Sequence, residues 1–187
     1  MNPRALIDIL RVAERLKDTT RHCYTSGGRH ESVAEHSWRM TLMAYLVAEE
    51  FPEADLLKLL KMCLIHDLGE CFTGDIPAFH KTAADEELEE RLLAEWVDTL
   101  PEPICGEWKR LFAEMNARQT LEAKIFKALD NLEAVIQHNE SDISTWLDRE
   151  YEMNLTYGYD RVAFSAYLTA VRDEVKADTT RKIEEAK

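Results

Sequence analysis

The feature that most restricts this chain is its shortage of chain-turning residues. It has six glycines and five prolines in 187 positions, about half the usual share of roughly 12%. Sandwiches and barrels need a turn at roughly every tenth residue, which this composition does not supply. Long stretches without breakers instead carry apolar residues at helical spacing: Leu6, Ile7, Leu10, Ala13 and Leu16 across 4–17; Met40, Met43, Leu46 and Val47; Leu88, Leu92, Trp96 and Leu100; and Ile125, Leu129, Leu132, Val135 and Ile136. The pattern predicts an all-α chain of about six to eight helices. With no repeat or linker to divide it, a single domain over 1–187 is expected.

Local signals place the helix ends. Ser32-Val33-Ala34-Glu35 has the form of a capping box, so a helix should start just before His36 and run to Phe51-Pro52. Asp55 can cap the next helix, Leu56 to Ile65, which is apolar on most sides and should pass through the core before ending at His66-Asp67-Leu68-Gly69. Thr82 opens a charged helix that Pro101 and Pro103 terminate, and a short helix with Trp108 follows; Trp96 and Trp108 read as core. Asp18 to His30, with Gly27-Gly28, and Glu70 to Lys81, with Gly74 and Pro77, read as loops. Thr120 to about Asn139 is strongly helical. Helices over 143–155 and 159–176 and a fraying tail, 177–187, complete the chain.

The charge balance narrows the partners. With 23 basic and 36 acidic residues the net charge is -13, so a nucleic-acid polymer or an anionic membrane would be repelled without a local basic patch. No apolar run approaches the ~20 residues of a membrane span, and the first residues lack a signal peptide's layout. Cys23, Cys63, Cys71 and Cys105 are scattered, without a CxxC pair. Reduced thiols in a cytoplasmic protein are expected, rather than a disulfide framework or a thiolate zinc site.

The chemistry lies in polar residues placed where helices should be apolar. His66 and Asp67 close the most apolar helix, Asp130 falls between Leu129 and Leu132, and His36 stands one turn into its own helix. Burying a carboxylate costs several kcal/mol unless it is paired or binds a metal. Two imidazoles and two carboxylates from three helices can form an octahedral site for one divalent ion, and the mixed set suits Mn, Fe, Co, Ni or Mg. About two positions would stay open for water or a substrate oxygen. Glu70 lies one turn beyond the His66-Asp67 pair, and Asp75, on the following loop, could reach a leaving group.

Each residue also has a plainer reading. A lone interior histidine is usually a satisfied core residue, and Asp67 and Asp130 could be helix-terminal or salt-bridged. Glu70 could be an exposed residue after a helix and Asp75 a turn residue. Glu133, one turn after Asp130, is either a partner to a ligand or a solvated helix position. On the residues alone His22, His30, His80 and His138 read as surface or loop positions, and the acidic run from Asp85 to Glu90 as a solvated helix face.

The order His36, His66-Asp67, Asp130 resembles the H…HD…D signature of the HD-domain metal-dependent phosphohydrolases. Glu31-Ser32-Val33-Ala34-Glu35-His36-Ser37, His66-Asp67-Leu68-Gly69-Glu70, Thr73-Gly74-Asp75-Ile76-Pro77 and Leu129-Asp130-Asn131-Leu132-Glu133 resemble the 5′-deoxynucleotidase branch, over roughly residues 20–175. The resemblance implies metal ligands at His36, His66, Asp67 and Asp130, and places Glu70 and Asp75 beside the scissile phosphate. It matches Arg21 to a phosphate-orienting arginine, with Lys17 and Arg29 as rivals in the same loop. It also implies a substrate pocket lined by Arg21, His22, Asp75, Ile76, Pro77 and Ala78, and a homodimer. Where that branch carries a tryptophan at or near the position after the arginine, this chain has His22-Cys23-Tyr24.

The implied reaction is hydrolysis of deoxyribonucleoside 5′-monophosphates to nucleoside and phosphate. Water activated by the ion attacks phosphorus in line with the departing sugar oxygen, and Glu70 and Asp75 divide the proton transfers between them. Two alternatives stand beside it. Another nucleotide or small phosphate ester, a triphosphate included, would require several Lys or Arg around the pocket. A metal-holding scaffold that binds without turnover would not need Glu70 and Asp75.

Overall fold

The computed structural model describes residues 1–77 and 79–187; Ala78, expected in the pocket wall, lies outside the described residues. In chain order the elements are α1 (Pro3–Ala13), a 3-10 turn (Glu14–Lys17), β1 (Thr20–Tyr24), β2 (His30–Ser32), α2 (Val33–Leu46), a second 3-10 turn (Ala48–Glu50), α3 (Leu56–Ile65), α4 (Glu70–Thr73), α5 (Ala83–Asp98), α6 (Ile104–Ala117), α7 (Leu121–Glu140), a third 3-10 turn (Ile143–Thr145), α8 (Glu150–Thr156), α9 (Tyr159–Val162) and α10 (Ala166–Glu185). The expected all-α architecture is what forms. Its one sheet among the described residues is the antiparallel hairpin β1–β2.

The caps act as the sequence indicates. Ser32 accepts the Glu35 amide hydrogen while Glu35 accepts that of Ser32, so α2 starts at Val33, three residues before His36. Asp55 caps α3, Thr82 and Asp85 form a second capping box on α5, and Thr120 caps α7. Each such cap is worth about 1 kcal/mol.

α7 is the central element. Twelve of its 20 residues are buried, and it packs against α2, α3, α6, α9, α10 and β1. One apolar core runs along it, from Met40 and Ala44 of α2 through Leu59, Met62 and Ile65 of α3 to Leu168 and Val175 of α10.

Several expectations are corrected. The polar stretch 18–30 is largely the hairpin: β1 lies against α7, where the Gln137 side-chain amide donates to the Tyr24 carbonyl at 2.7 Å. The stretch 70–81 opens with a helical turn, α4, and Gly74 takes a positive φ of 76° that turns the chain out of it toward Asp75. Leu57 and Leu64 face solvent, so α3 flanks the core rather than crossing it. Leu6, Ile7, Leu10, Leu46 and Leu88 are exposed as well, and α5 turns Leu93 and Val97 inward. Trp96 and Trp108 meet edge to face at 5.7 Å on the border of the core and are only partly buried. The tail expected to fray is helix to Glu185, held where the Thr179 hydroxyl donates to the Asn139 side chain at 2.9 Å.

The cation that ties α10 to the rest of the chain is Arg172, whose residue is fully buried. Its guanidinium donates to the carbonyls of Tyr157 (2.8 Å) and Asn154 (2.7 Å) and lies over the Tyr159 ring at 4.6 Å. Burial lowers its pKa from the usual arginine value. Replacing it leaves two carbonyls without donors, and hydrogen bonds from charged groups contribute about 1.5–3 kcal/mol each. Arg172→Met should therefore lower unfolding free energy by on the order of 3 kcal/mol, read as a reduced midpoint in urea denaturation.

Candidate metal centre and active site

Three helices deliver the four expected ligands to one place. His36 comes from the second turn of α2, His66 and Asp67 follow the last turn of α3, and Asp130 sits midway along α7. His36 Nε2 lies 3.3 Å from His66 Nε2, 3.3 Å from Asp130 Oδ1 and 3.7 Å from Asp67 Oδ2. His66 Nε2 lies 3.0 Å from Asp67 Oδ2 and 4.0 Å from Asp130 Oδ1. Bonds of about 2.1 Å around an octahedral ion place neighbouring donors about 3.0 Å apart and opposite ones about 4.2 Å apart. The observed separations fall within that range.

The hydrogen bonds on the far side of each ring fix which nitrogen faces the centre. His66 Nδ1 lies 2.9 Å from the Cys63 carbonyl, which can only accept, so Nδ1 donates. His36 Nδ1 donates to the Glu133 carboxylate. Both Nε2 atoms are thereby free to act as ligands, the arrangement in which an outer carboxylate or carbonyl orients a metal-binding imidazole. Glu133 is fully buried, which settles its two readings in favour of the ligand partner. The 2.7 Å contact of Arg21 with Glu31 and its 3.1 Å contact with Glu133 extend the network to β1 and β2.

The electrostatics favour positive charge at this centre. Burial and Arg21 oppose charge on His36, yet Glu133 and Asp130 outweigh them and hold its imidazole up at about 10. Burial also opposes ionisation of Asp130, but Lys127 and the two imidazoles hold its carboxyl well below the usual range. Asp67 is lowered too, with His66 prevailing over burial. A divalent cation competes with protons for this set, and two carboxylates balance its charge. The donor set therefore fits a metal ion.

The centre opens onto a cavity of about 280 Å3 whose lining includes Arg21, His22, Glu70, Asp75, Ile76 and Pro77. Arg21 is thus brought to the site, whereas Lys17 is exposed and Arg29, also exposed, is paired with Glu35. Glu70 is buried, and its Oε2 has no hydrogen-bond partner; burial, then Asp67, Asp75 and Glu89, push its carboxyl up to about 10. Burial and Asp67 raise Asp75 against the pull of Arg21. A larger cavity, about 500 Å3, touches His66, Asp67 and Asp130 from the side of α5 and α6 but lacks Arg21, Glu70 and Asp75. Size alone would favour the larger space; the reactive groups select the smaller.

The sequence reading missed other lining residues. Lys127 pairs with Asp130 at 2.6 Å and Lys81 with Glu89 at 2.7 Å, both on the cavity wall; Lys127, three residues before Asp130 on one helix, was the detectable one. His138, expected at the surface, is instead buried in the same wall. His30 and His80 are exposed, as read.

Glu133→Gln would weaken the hold on His36 while leaving all four ligands in place. Loss of such an orienting carboxylate typically costs 10–100-fold in metal affinity. A drop of about that size is expected in competition titrations against a chromophoric chelator; unchanged affinity would make Glu133 a packing residue only.

Residues 13–181 match the HD domain family. The human protein called 5′-deoxynucleotidase HDDC2 is 31% identical over 141 residues, covering 73% of this chain and 68% of that one. The fission yeast Schizosaccharomyces pombe 5′-deoxynucleotidase hdd1 is 27% identical over 175 residues, covering 83% and 86%. Among solved structures, a predicted metal-dependent phosphohydrolase from Magnetospirillum magnetotacticum superposes with a TM-score of 0.80 at 28% identity, covering 96% of this chain and 93% of that one. In sequence, in fold and in the placing of its H…HD…D residues, this chain belongs to the HD domain family.

Proposed function

We propose that the protein is a metal-dependent 5′-deoxynucleotidase, hydrolysing deoxyribonucleoside 5′-monophosphates to nucleoside and phosphate. The observation that carries the reading is the meeting of His36, His66, Asp67 and Asp130 beside a cavity whose wall includes His36, Asp67 and Asp130 together with Arg21, Glu70 and Asp75. Relatives named 5′-deoxynucleotidase, covering most of this chain, support it.

His36, His66, Asp67 and Asp130 hold one divalent ion, of the Mn, Co, Fe, Ni or Mg type. When bound, the ion supplies Lewis acidity, offsetting phosphate charge and making water a stronger acid. Arg21, fixed by Glu31 and Glu133, orients the phosphate with its planar fork. Glu70, on the cavity wall with one buried, unpartnered oxygen, and Asp75, on the turn set by Gly74, move the protons to and from water and the leaving sugar oxygen. His22, Ile76 and Pro77, with Ala78 by resemblance, line the nucleoside side.

The charge pattern bears on the triphosphate alternative. Arg21, Lys81 and Lys127 do line the cavity, but each is matched by an acid: Glu31 and Glu133, Glu89, and Asp130. Such a cavity has little surplus positive charge for a tri- or tetra-anionic tail. Against a scaffold that binds without turnover stand Glu70 and Asp75: burying both raises their pKa values, a cost that metal holding does not require.

The homodimer reading rests on a face the chain leaves uncovered. Trp38, Leu42, Tyr45 and Leu46 of α2 and Leu57 and Leu64 of α3 are exposed large apolar residues on neighbouring helices, and contiguous patches of this kind mark interfaces. Cytoplasmic residence rests on Cys23, Cys63, Cys71 and Cys105, all buried free thiols. No described helix is long and apolar enough to cross a membrane.

Two experiments test these readings. Protein stripped with a chelator and reloaded with Mn, Co, Ni or Mg should release phosphate from deoxyribonucleoside monophosphates. Glu70→Gln or Asp75→Asn should slow release by about 10²–10⁴-fold with metal content retained. Absence of release from every monophosphate under every metal would overturn the assignment. For the dimer, Trp38→Asp combined with Leu46→Asp should shift the mass measured by light scattering from about two chains to one; a monomeric parent protein would dispose of the idea.

A further inference from the structure

A second group of ligand-type side chains lies beside the same cavity away from the HD residues, two of its three members, His22 and His138, lining the wall. β1 supplies His22, the last turn of α7 supplies His138, and the start of α8 supplies Glu150. Glu150 Oε1 lies 3.0 Å from His22 Nε2 and 3.6 Å from His138 Nε2. The imidazole centroids are 5.2 Å apart, against 5.3 Å for His36 and His66. His138 and Glu150 are buried, while His22 is half-buried on the cavity wall.

Hydrogen bonding accounts for only part of this arrangement. At 3.0 Å one imidazole can donate to the carboxylate; at 3.6 Å the other is out of range. The Nε2 of the buried residue His138 thus stands 3.6 Å from an acidic oxygen, beyond hydrogen-bond range. The group is also prebuilt. The other oxygen of Glu150 accepts the Leu147 amide hydrogen at 2.7 Å, the Trp146 indole donates to the His138 carbonyl at 2.9 Å, and Phe79 meets the His22 ring edge to face at 5.2 Å. A third cluster, Glu31, His36 and Glu133, makes a useful contrast: the Arg21 guanidinium already bridges its two carboxylates, so it needs no ion.

We propose that His22, His138 and Glu150 form a second divalent-metal site, separate from the HD centre. Two imidazoles and one carboxylate are the ligand set of borderline cations such as Zn, Co, Ni or Fe(II), and three protein ligands leave a position open. His22 and His138 both line the cavity, so an oxygen or ring nitrogen of a nucleoside held there could complete the coordination. This last step rests on the nucleotidase reading; the metal site itself does not.

The test is metal stoichiometry, which is independent of turnover. Tag-free full-length protein, stripped of metal, is dialysed against micromolar Co(II) or Zn(II), and bound metal is counted by mass spectrometry. Two ions per chain are expected for the parent protein, one for His22→Ala and for Glu150→Gln, and one for Asp130→Asn. His22 is the least buried of the three ligands, so its variant guards against misfolding, checked by circular dichroism. With Co(II), Asp130→Asn should retain a visible absorption band that His22→Ala lacks. One ion per chain in the parent protein overturns the site and leaves a hydrogen-bonded cavity wall. Two ions retained in both folded His22→Ala and Glu150→Gln overturn it equally, by assigning the second ion elsewhere.

Discussion

The arrangement of the whole molecule turns on bringing four electron-pair donors from α2, α3 and α7 within 3.0–4.0 Å of one another. Left to themselves, two carboxylates would repel each other there, and burial would penalise each of them. The surroundings offset this in layers. Glu133 and the Cys63 carbonyl hold the rings from behind, Lys127 pairs with Asp130, and Arg21 links Glu133 to Glu31 on the hairpin. The core beneath supplies rigidity: α7 is buried on most sides, so Asp130 and Glu133, one turn apart, keep a fixed relation to His36.

The same economy of charge shapes the cavity. A chain with net charge -13 still places Arg21, Lys81 and Lys127 around the centre, each beside an acid. The result is a polar pocket with local cations but little field of one sign. Gly74 contributes by conformation alone, since its positive φ is what aims Asp75 back toward the cavity. Gly69 permits the corner between α3 and α4 to lie against α5: a Cβ there would stand 2.7 Å from Glu89 Cγ.

The four HD residues were legible because each one violates the local helical pattern, and four such violations at set spacings are hard to explain otherwise. Glu133 was half legible, being one turn from Asp130. Lys81, His138 and Glu150 were not, because nothing near them in sequence marks a site; Glu150 meets His22 across 128 positions. The hairpin escaped notice since its strands are short and mainly polar, and it exists because β1 can lie on α7. The fate of the C-terminal segment depended likewise on Arg172 and Thr179 finding partners on other elements.

By itself the sequence determined the helical class, the capped starts of the main helices and the identity of the four HD residues. Those follow from local periodicity, hydrogen bonding within a few residues and the cost of burying polar groups. Only the tertiary structure decided which apolar faces are covered, which of two cavities holds the reactive groups and which distant side chains share them. Periodicity shows that a helix has an apolar side, but contact between sides is a long-range property that no local pattern encodes.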